Sequence, residues 1–536
     1  MLYATETFTA DEVEVLERHL TNVDRPVFAL VNLPEVVKGA LFARYSRTHK
    51  SLRRLFLDEF ADDVDAASGD GGPDETTVGV GRAEQLYDKV FGEYGDDSVA
   101  QLGGVHLACE QASNLLTKVL EWGRLMAYLE QSTRYIAYDA RLGGRYRYYR
   151  DPTLLQSRLG TRYVADMDRM FDTYAGLLPV MQAYFTERYP KRPEDSDFAY
   201  RSSIKAKAYD SLRGLLPAAS LSNVGVYGTG QAYEALLLRM RSHPLPESRA
   251  YAEMMLEELR KVIPSFLKRV DLPDRGGAWS DYLEENRRGM EALAFDMFDG
   301  VEPEDRAMVT LVDFDPDAED KLVVAALYPY TALPEDQVAA RVKLLSTEDK
   351  VAILKAYVGD RANRRHRPGR GWERVDYRFD VVSDYGAFRD LQRHRMLTIE
   401  WQDLTPRHDY VLPEAVAEAG QTDAFAEAME RSAALYEALA DAGFVKQASY
   451  AVALAYRVRY VMQMNAREAM HLLELRTGPQ GHPEYRRVGQ QMHRLIGEQA
   501  GHRVIAELMR YVDHGTYDLE RLDAENRAEA RRAARS

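Results

Sequence analysis

A chain of 536 residues is too long to fold around one hydrophobic core, and this length is the strongest constraint on its architecture. Single cores stop growing at about 250–300 residues, so the length predicts two domains. Hydrophobic residues make up 46% of the chain and charged residues 29%, which is typical of a globular protein and excludes bulk disorder and fibrous repeats.

The charge balance is acidic, with 85 Asp and Glu against 70 Lys and Arg, a net charge of −15 and a pI near 5.4. Proteins that act on DNA or anionic membranes usually carry the opposite sign, so we expect neither as a partner. An anionic ligand must therefore be bound by a local group of arginines. The chain has no secretory signal pattern and no apolar run of about 18–20 residues, which predicts a cytoplasmic protein.

Several kinds of site are absent from the sequence. The only cysteine, Cys109, cannot form an internal disulfide or a cysteine-based zinc site, and its neighbours predict a buried thiol on a helix. The 12 histidines show no metal-binding spacing, so no metal is expected. There is no Walker loop and no GxSxG elbow, and the Gly-rich run at 225–230 is weak evidence for a dinucleotide site.

The local patterns predict a mixed α/β (α+β) fold with long helices. Strands are predicted at Met308–Phe314 and Val375–Val382, and Asp317 is a plausible N-cap for a helix that begins at Ala318. A loop is predicted at Ala61–Glu84, a break at 271–306, and a solvated helix or frayed end in the charged tail. The predicted long helices are Leu107–Tyr128, Tyr163–Arg188, Ala250–Lys268 and Asp423–Ala440.

A compact cationic cluster stands at Arg393-His394-Arg395. Two guanidiniums beside an imidazole suit a phosphate, a pyrophosphate or a ring that carries negative charge. The alternative is a surface basic patch that pairs with Asp390 and Glu400, and the spacing alone does not separate the two.

Around this cluster, the second half of the chain resembles the flavin-dependent thymidylate synthases. The family's Glu-containing turn and strand are matched by Glu373 and the segment that leads to RHR. Its Asn-x-Arg…Leu-Arg segment is matched by Asn465, Arg467 and HLLELR, which ends at Arg476. The resemblance covers roughly residues 305–520.

The first half resembles the same family through other motifs. Glu130-Gln-Ser132-Thr-Arg134-Tyr matches the Glu-x-Ser-x-Arg-Tyr signature, Arg213 begins an Arg-x-x-Leu-Pro segment, and Arg241 matches the terminal arginine. The resemblance implies a sheet with long helices, duplicated in tandem. We predict a first domain at 1–275, a linker at 276–304, a second domain at 305–520 and a charged tail at 521–536.

The resemblance implies reductive methylation of dUMP to dTMP through FAD, with NADPH and methylenetetrahydrofolate as co-substrates. It assigns dUMP to the first half, with Arg241 at the uracil edge, and FAD to the second half. The implied dUMP residues are Glu130, Ser132, Arg134, Arg213 and Arg241, and the implied FAD residues are Glu373, Arg393, His394, Arg395, Asn465, Arg467 and His471. A possible second site comprises Thr405, Arg407 and Arg476.

The two halves depart from the family in complementary ways. The first half has Trp122-Gly-Arg124 in place of RHR, and Gly230 and Ala232 in place of Asn465 and Arg467. The second half has Thr405-Pro-Arg407-His for Ser-x-Arg-Tyr, and Ser449 near the position of the arginine before Leu-Pro. A composite site follows as a hypothesis, either between the halves of one chain or between chains. We expect a homo-oligomer, a dimer of tandem chains that mimics a tetramer.

Alternatives remain at this stage. Glu130 and Arg134 could be an i,i+4 pair on a helix surface, and Asn465 could only cap a helix on which Arg467 is a solvated first-turn residue. At the level of function, the protein could be a flavoprotein for another pyrimidine or nucleotide, or a catalytically degenerate paralogue that binds a nucleotide or FAD.

Overall fold

The computed structural model describes residues 6–45, 48–61, 101–519, 522 and 526. Their contacts form two compact units that do not follow chain order. The first unit contains the described residues of Met1–Glu110, Val119–Glu130 and Asn223–Val301. The second contains those of Gln111–Lys118, Gln131–Ser222 and Glu302–Ser536, so it draws on both halves of the sequence. These units differ from the two consecutive domains that the sequence predicts. The boundaries of those domains remain a prediction.

The described strands form two small sheets. The three-stranded sheet has the order β1-β3-β2, and the four-stranded sheet has the order β4-β5-β7-β6. The strands are β1 (Gly104–Ser113), β2 (Met126–Glu130), β3 (Leu221–Thr229), β4 (Val309–Phe314), β5 (Asp376–Asp384), β6 (Leu397–Trp401) and β7 (Arg457–Asn465).

Helices account for most of the remaining described residues. Short 3₁₀ turns include Arg213–Leu215, Arg370–Arg374 and Ser449–Ala451. The helices of the described residues are α1 (Ala10–His19), α2 (Glu35–Tyr45), α3 (Leu52–Glu59), α4 (Asn114–Leu120), α5 (Pro152–Gln156), α6 (Gly160–Arg188), α7 (Asp197–Leu212), α8 (Gly230–Arg241), α9 (Pro246–Arg260), α10 (Ala278–Phe298), α11 (Ala318–Leu327), α12 (Glu335–Val342), α13 (Thr347–Val358), α14 (Tyr385–Leu391), α15 (Glu414–Glu418), α16 (Thr422–Asp441), α17 (Val445–Ala448), α18 (Ala466–Arg476), α19 (Pro483–Glu498) and α20 (Arg503–Leu508).

The four-stranded sheet of the second unit is antiparallel throughout. Along β5 the apolar residues alternate, and Tyr377, Phe379 and Val381 are buried. The register sets Tyr377 opposite Met464 and Phe379 opposite Met462 of β7, whose side chains are also buried. Because successive residues of a strand point to opposite faces, this register collects the apolar side chains on one face of the sheet.

The two sheets repeat one arrangement. In each, a strand leads into a short helix and a second strand, and a long helix precedes the third strand, which lies between the other two. The repeat therefore runs β1-α4-β2 to β3 and β5-α14-β6 to β7, with β4 added at the edge of the second copy. This agrees with the predicted tandem duplication.

The repeat also corrects the predicted alignment of the halves. Strands β3 and β7 both have nine residues and lead directly into α8 and α18. Thr229 and Asn465 are the N-caps of these helices, and each side chain accepts a backbone N–H three residues on. The first-half counterpart of Asn465 is therefore Thr229, and the assignment of Gly230 to that place was wrong.

Within the second unit, segments from the two halves of the sequence pair through their backbones. The N–H of Ala218 donates to the carbonyl of Val452 at 2.8 Å, and the N–H of Leu454 donates to Leu216 at 2.9 Å. A second reciprocal pair joins 219 to 450 and 455 to 214, at 3.0 and 2.9 Å. Both segments follow the 3₁₀ turns that begin at Arg213 and Ser449, so equivalent segments of the two copies pair around a local pseudo-twofold axis.

Several local predictions are confirmed, among them the strands at 308–314 and 375–382 and the helices at 163–188 and 423–440. The predicted helix Leu107–Tyr128 was wrong, because this segment forms β1, α4 and β2. Ala250–Lys268 is helical only in part, since α9 ends at Arg260 and a short 3₁₀ turn follows. The predicted break at 271–306 contains the 21-residue helix α10.

Other predictions are confirmed only in part or concern residues outside the described ones. Asp317 occupies the N-cap position of α11, but its side chain makes no capping hydrogen bond. The part of the predicted loop at 62–84 lies outside the described residues, as does most of the tail. No helix in the described ranges is long and apolar enough to cross a membrane.

Candidate functional site

The candidate site is a cluster of arginines and carboxylates in the second unit, and Asp390 lies among them. Asp390 is near the end of α14, a helix that begins because its N-cap Asp384 accepts the N–H of Ala387 at 3.2 Å. The helix ends at Leu391, and the chain then continues into Arg393 and His394. The cluster therefore depends on a short, capped helix that follows β5, one of the two inner strands of the sheet.

Arginines from distant parts of the chain act on the Asp390 carboxylate. Arg393 forms a hydrogen-bonded ion pair with Oδ1, and Nη1 of Arg476 lies 3.8 Å from the same oxygen. Nη1 of Arg213 lies 3.7 Å from Oδ2. Burial alone would raise the pKa of Asp390, but Arg393, Arg476, Arg213 and Arg134 hold that pKa well below its usual value. Asp390 is therefore a stable carboxylate anion.

Arg134 lies in the turn after β2 and is held by a second aspartate. Its Nε and Nη2 donate to the two carboxylate oxygens of Asp210, both at 2.8 Å, and its Nη1 donates to the Tyr485 hydroxyl at 3.0 Å. Because Glu130 ends β2, residues 132–135 form a turn and Arg134 pairs with Asp210, the interpretation of Glu130 and Arg134 as a helix-surface pair was wrong. A bidentate pair of this kind orients the guanidinium plane.

Arg213 is 4% exposed and lies between two carboxylates. Its Nη2 is 3.8 Å from Oδ2 of Asp384, and a Cβ at Gly386 would lie only 3.0 Å from its Nε, so a larger residue would displace the guanidinium. Nε and Nη2 of Arg213 make no hydrogen bond to any described residue. Burial raises the pKa of Asp384 to about 7 against the opposing charge of Arg213.

A chain of hydrogen bonds holds Arg476. Its Nε donates to Nε2 of His394 at 2.9 Å, so the ring proton of His394 lies on Nδ1 and is donated to Glu468 at 2.9 Å. Burial lowers the pKa of His394 to about 4, so the ring is neutral at pH 7. Burial alone would raise the pKa of Glu468, but hydrogen bonds from His394 and His471 lower it to about 2.

By distance alone, His394, Glu468 and His471 could surround a cation, since their ligand atoms lie within 4.8 Å of one another. A metal on Nδ1 of His394 would move the ring proton to Nε2, where it would face the N–H of Arg476. Two donors would then oppose each other beside a guanidinium. The cluster does not fit a metal ion.

The residues assigned to FAD make some contacts within the protein, and they retain polar groups for a ligand. Asn465 caps α18 through Oδ1, as one alternative reading held, which leaves its amide N–H groups as donors. Arg467 is 32% exposed and contacts Glu373 and the carbonyl of Pro368 at 3.4 and 3.0 Å, so it is not simply solvated. Arg395 is exposed. Arginine side chains, the amide of Asn465 and the imidazole of His471 are groups of the kind that bind a diphosphate-bearing dinucleotide.

His394 fits that group poorly. Both of its ring nitrogens are engaged within the protein, and the residue is 6% exposed. Its evident role is to orient Arg476.

Thr405 and Arg407, assigned to a possible second site, belong to the 3₁₀ turn at Pro406–His408, where Thr405 is the N-cap. Arg407 lines a cleft of 620 Å³ that Asp384 also lines. Arg457, Arg459 and Arg487 also line this cleft, and each has an acidic partner. Among the described residues Arg407 has none. Arg476, predicted with these two residues, belongs instead to the cluster around Asp390.

Two residues assigned to dUMP belong to the first unit. Arg241 ends α8 and forms an ion pair with Glu253 at 2.9 Å, and Glu130 is the last residue of β2. Ser132, in the second unit, uses its hydroxyl to accept the N–H of Arg134 at 3.2 Å. Of the predicted dUMP residues, the structure brings Arg134 and Arg213 into the cluster around Asp390, together with Arg393 and Arg476.

The carboxylates of the cluster were missed as functional residues. Asp390 appeared in the sequence only as a partner of a surface patch, and Asp210 and Asp384 were not considered. Spacing offered one signal, because an aspartate stands three residues before Arg213 and another three before Arg393. Tyr485, which contacts Arg134, follows the Arg476 segment and had no such signal.

The sequence is related to known proteins along most of its length. The family model described as thymidylate synthase complementing protein matches residues 42–265 and 310–500. The chain belongs to this family and contains two tandem copies of its domain. Arg134 and Arg213 lie in the first match, and Asp390, Arg393 and Arg476 in the second, so the cluster is built from both copies.

The chain is similar to three relatives over nearly their whole length. The chain is 40% identical to the UPF0159 protein of Chlamydia muridarum, over 99% of this chain and 100% of the relative. It is 39% identical to a UPF0159 protein of Chlamydia pneumoniae, over 99% of each chain. A UPF0159 protein of Thermoplasma acidophilum is 31% identical, over 91% of this chain and 98% of the relative.

Among solved structures, the UMP/dUMP methylase PolB from Streptomyces cacaoi, bound with 5-Br dUMP, aligns with a TM-score of 0.31 and 20% identity. The alignment covers 40% of this chain and 100% of PolB.

Proposed function

We propose that the protein is a thymidylate synthase-like enzyme that methylates dUMP reductively, with FAD, NADPH and methylenetetrahydrofolate. One observation carries the proposal: in a chain of this family, Arg213 of the first copy and Arg393 and Arg476 of the second lie within 4 Å of one carboxylate, Asp390, in the second unit. Such a concentration of guanidiniums is suited to the phosphate and the uracil edge of a nucleotide.

The arginines have separate roles in this proposal. Arg134 and Arg213, with Ser132 beside them, bind the 5′-phosphate and orient the nucleotide, which proximity catalysis requires. Arg476, rather than Arg241, faces the uracil edge, because Arg476 lies in the cluster and is oriented by His394. Charge-assisted hydrogen bonds to a uracil anion contribute roughly 1.5–3 kcal/mol each.

The only cysteine is a poor candidate for a nucleophile. Cys109 is 4% exposed on β1, and burial raises the pKa of its thiol to about 11. A buried thiol with this pKa is protonated at pH 7, and the thiolate is the nucleophilic form. This supports a route in which a bound reduced flavin supplies the hydride and no protein nucleophile is needed.

The residues that would hold FAD are Arg395, Asn465, Arg467 and His471, with Glu373 orienting Arg467. Arg393 is shared, because it pairs with Asp390 while standing at the start of the RHR motif. We also propose that the protein acts as a homo-oligomer of tandem chains, as the duplicated domain implies.

A second candidate is a binding protein or an enzyme for another nucleotide. Its motivation is that Arg134, Arg213, Arg393 and Arg476 already face carboxylates in this structure. A phosphate dianion must compete with these internal partners, which weakens the case for tight dUMP binding.

The test is the absorbance spectrum of the purified protein with added FAD, recorded with and without dUMP, together with NADPH oxidation. We expect bound flavin, a change in its bands on addition of dUMP, and faster NADPH oxidation. The Arg476→Lys variant should lower folate-dependent dTMP formation about 100-fold, while Arg141→Lys, in an exposed pair with Asp172, should not.

Protein that binds no FAD would contradict the proposed enzyme. Bound FAD with no response to dUMP would instead favour the second candidate.

A further inference from the structure

Asp390 differs from the other carboxylates of the cluster because it contacts arginines from both copies. Its Oδ1 serves Arg393 and Arg476, which belong to the second copy, and its Oδ2 faces Arg213 of the first copy. The side chain is 13% exposed, so little water screens these interactions. Asp210, by contrast, forms a bidentate pair with Arg134 of the first copy.

The Asp390 carboxylate has the chemistry of a ligand's oxyanion. It is an anion with two oxygens that accept from several guanidiniums at once, which is how arginines bind a phosphate group. A phosphate bound by Arg134 and Arg213 would meet this carboxylate, whose Oδ2 lies 3.7 Å from Nη1 of Arg213. Because like charges in a poorly screened site repel strongly, both anions cannot occupy the cluster without loss of binding free energy.

We propose that Asp390 determines the specificity of the site by acting as an internal counter-ion in the place of the ligand's phosphate. The cluster then binds a free anion such as inorganic phosphate weakly, and a phosphate-bearing ligand must displace the carboxylate. A nucleoside monophosphate can do so because its sugar and base make further contacts, and inorganic phosphate has none. The nucleotide part of this inference rests on the proposed function, but the competition between anions does not.

The competing interpretation is that Asp390 only stabilises the fold. Removing one partner of a buried ion pair is destabilising under either interpretation, because charges are left uncompensated. The two differ in whether an external anion can replace the carboxylate.

The test uses the full chain with Asp390→Asn, which keeps the shape, and Asp390→Ser, which leaves room for an oxyanion. Glu427→Gln is the matched control, since Glu427 pairs with Arg431 on the surface of α16 and is 71% exposed. The Tm of each protein is measured in chloride and with added sulfate or inorganic phosphate. The Kd values for inorganic phosphate, dUMP and deoxyuridine are measured by calorimetry.

We expect both Asp390 variants to have a lower Tm in chloride and to recover it with sulfate, while the wild type and the control respond little. The variants should bind inorganic phosphate with a Kd at least about tenfold lower than the wild type. Deoxyuridine, which has no phosphate, should bind all four proteins alike.

An unchanged or higher Kd for phosphate in the variants would overturn the inference. Failure of both variants to fold even in sulfate would overturn it as well, because an anion would then not replace the carboxylate. If the variants gain phosphate binding but no protein binds dUMP, the proposed substrate fails and the role of Asp390 stands. If the wild type binds dUMP and the variants gain no phosphate binding, the proposed substrate stands and the role of Asp390 fails.

Discussion

At the scale of single residues, most of the cluster arginines pair with an acid that is distant in sequence, and Arg393, which pairs with Asp390 three residues before it, is the exception. Arg134 is recognisable from its motif, but its partners Asp210 and Tyr485 lie 76 and 351 residues away. The same holds for His394, whose ring nitrogens contact Glu468 and Arg476 of α18. Motif spacing identified the cationic side chains, but only the tertiary structure shows which residues most of them contact.

The neutral, buried His394 predicts a pH dependence of stability. Burial lowers its pKa from the ordinary value of about 6.5 to about 4 on folding, so the unfolded chain binds more protons between these pH values. Stability should therefore decrease as pH falls from 6.5 to 4, by about 3 kcal/mol from this group. The His394→Gln variant, which keeps a hydrogen-bonding side chain that does not titrate, should lose less over this interval.

Chemical denaturation at a series of pH values measures this difference. A variant whose stability curve runs parallel to that of the wild type between pH 6.5 and 4 would contradict the assignment. His366, an exposed histidine in the loop after α13, provides the control as His366→Gln.

At the scale of elements, the sequence predicted the segments with strong periodicity. It missed segments whose conformation depends on neighbouring strands. The 29-residue helix α6 has buried residues such as Tyr163, Met167 and Met170 at helical spacing, so its pattern was sufficient. The segment 107–128 contains good helix formers, but residues 104–113 form a strand beside β3. Pairing in a sheet overrode the local preference there.

The paired segments after the two 3₁₀ turns allow a test of packing. A Cβ at Gly214 would lie 2.9 Å from Cβ of Ala455, too close for an unperturbed contact. Gly214→Ala should therefore destabilise the protein by about 1–3 kcal/mol, and Ala455→Gly in the same chain should restore much of this loss.

Equilibrium denaturation of the single and double variants measures this coupling. Gly176→Ala is the control, because its Cβ meets nothing within 4 Å on the exposed side of α6. It should stabilise the helix by about 0.5–1 kcal/mol. Additive effects of the two changes at 214 and 455 would show that these segments do not pack as described.

At the scale of the whole molecule, the tandem copies do not form two units in chain order. The second unit takes residues 131–222 from the first copy, and these include Arg134 and Arg213. Fusion in one chain therefore places motifs of both copies in the same unit. It also explains how the copies could diverge in complementary ways, since neither has to retain every motif.

This organisation predicts that the second half does not fold alone. Residues 305–536 without 1–304 lose the backbone partners of 450–455 and leave Asp384 and Asp390 without Arg213. We expect no cooperative unfolding transition and no resolved near-ultraviolet circular dichroism for this fragment. Co-expression with 1–304 should restore both, because the cut falls in an exposed segment without regular structure.

A cooperative transition of 305–536 by itself, at the stability of the full chain, would contradict the assignment of 131–222 to the second unit. It would instead favour the two consecutive domains that the sequence predicts.

By itself the sequence determined the family, the mixed α/β class, the duplication and most of the strongly periodic helices and strands. These features follow from spacing within a few residues or from short motifs, which local chemistry and periodicity encode. Only the tertiary structure decided that Arg476 joins Arg134 and Arg213 while Arg241 lies in the first unit, and that Asp390 is among the arginines. The physical reason is that a buried charge needs a partner in space, and the chain supplies that partner from any distance in sequence.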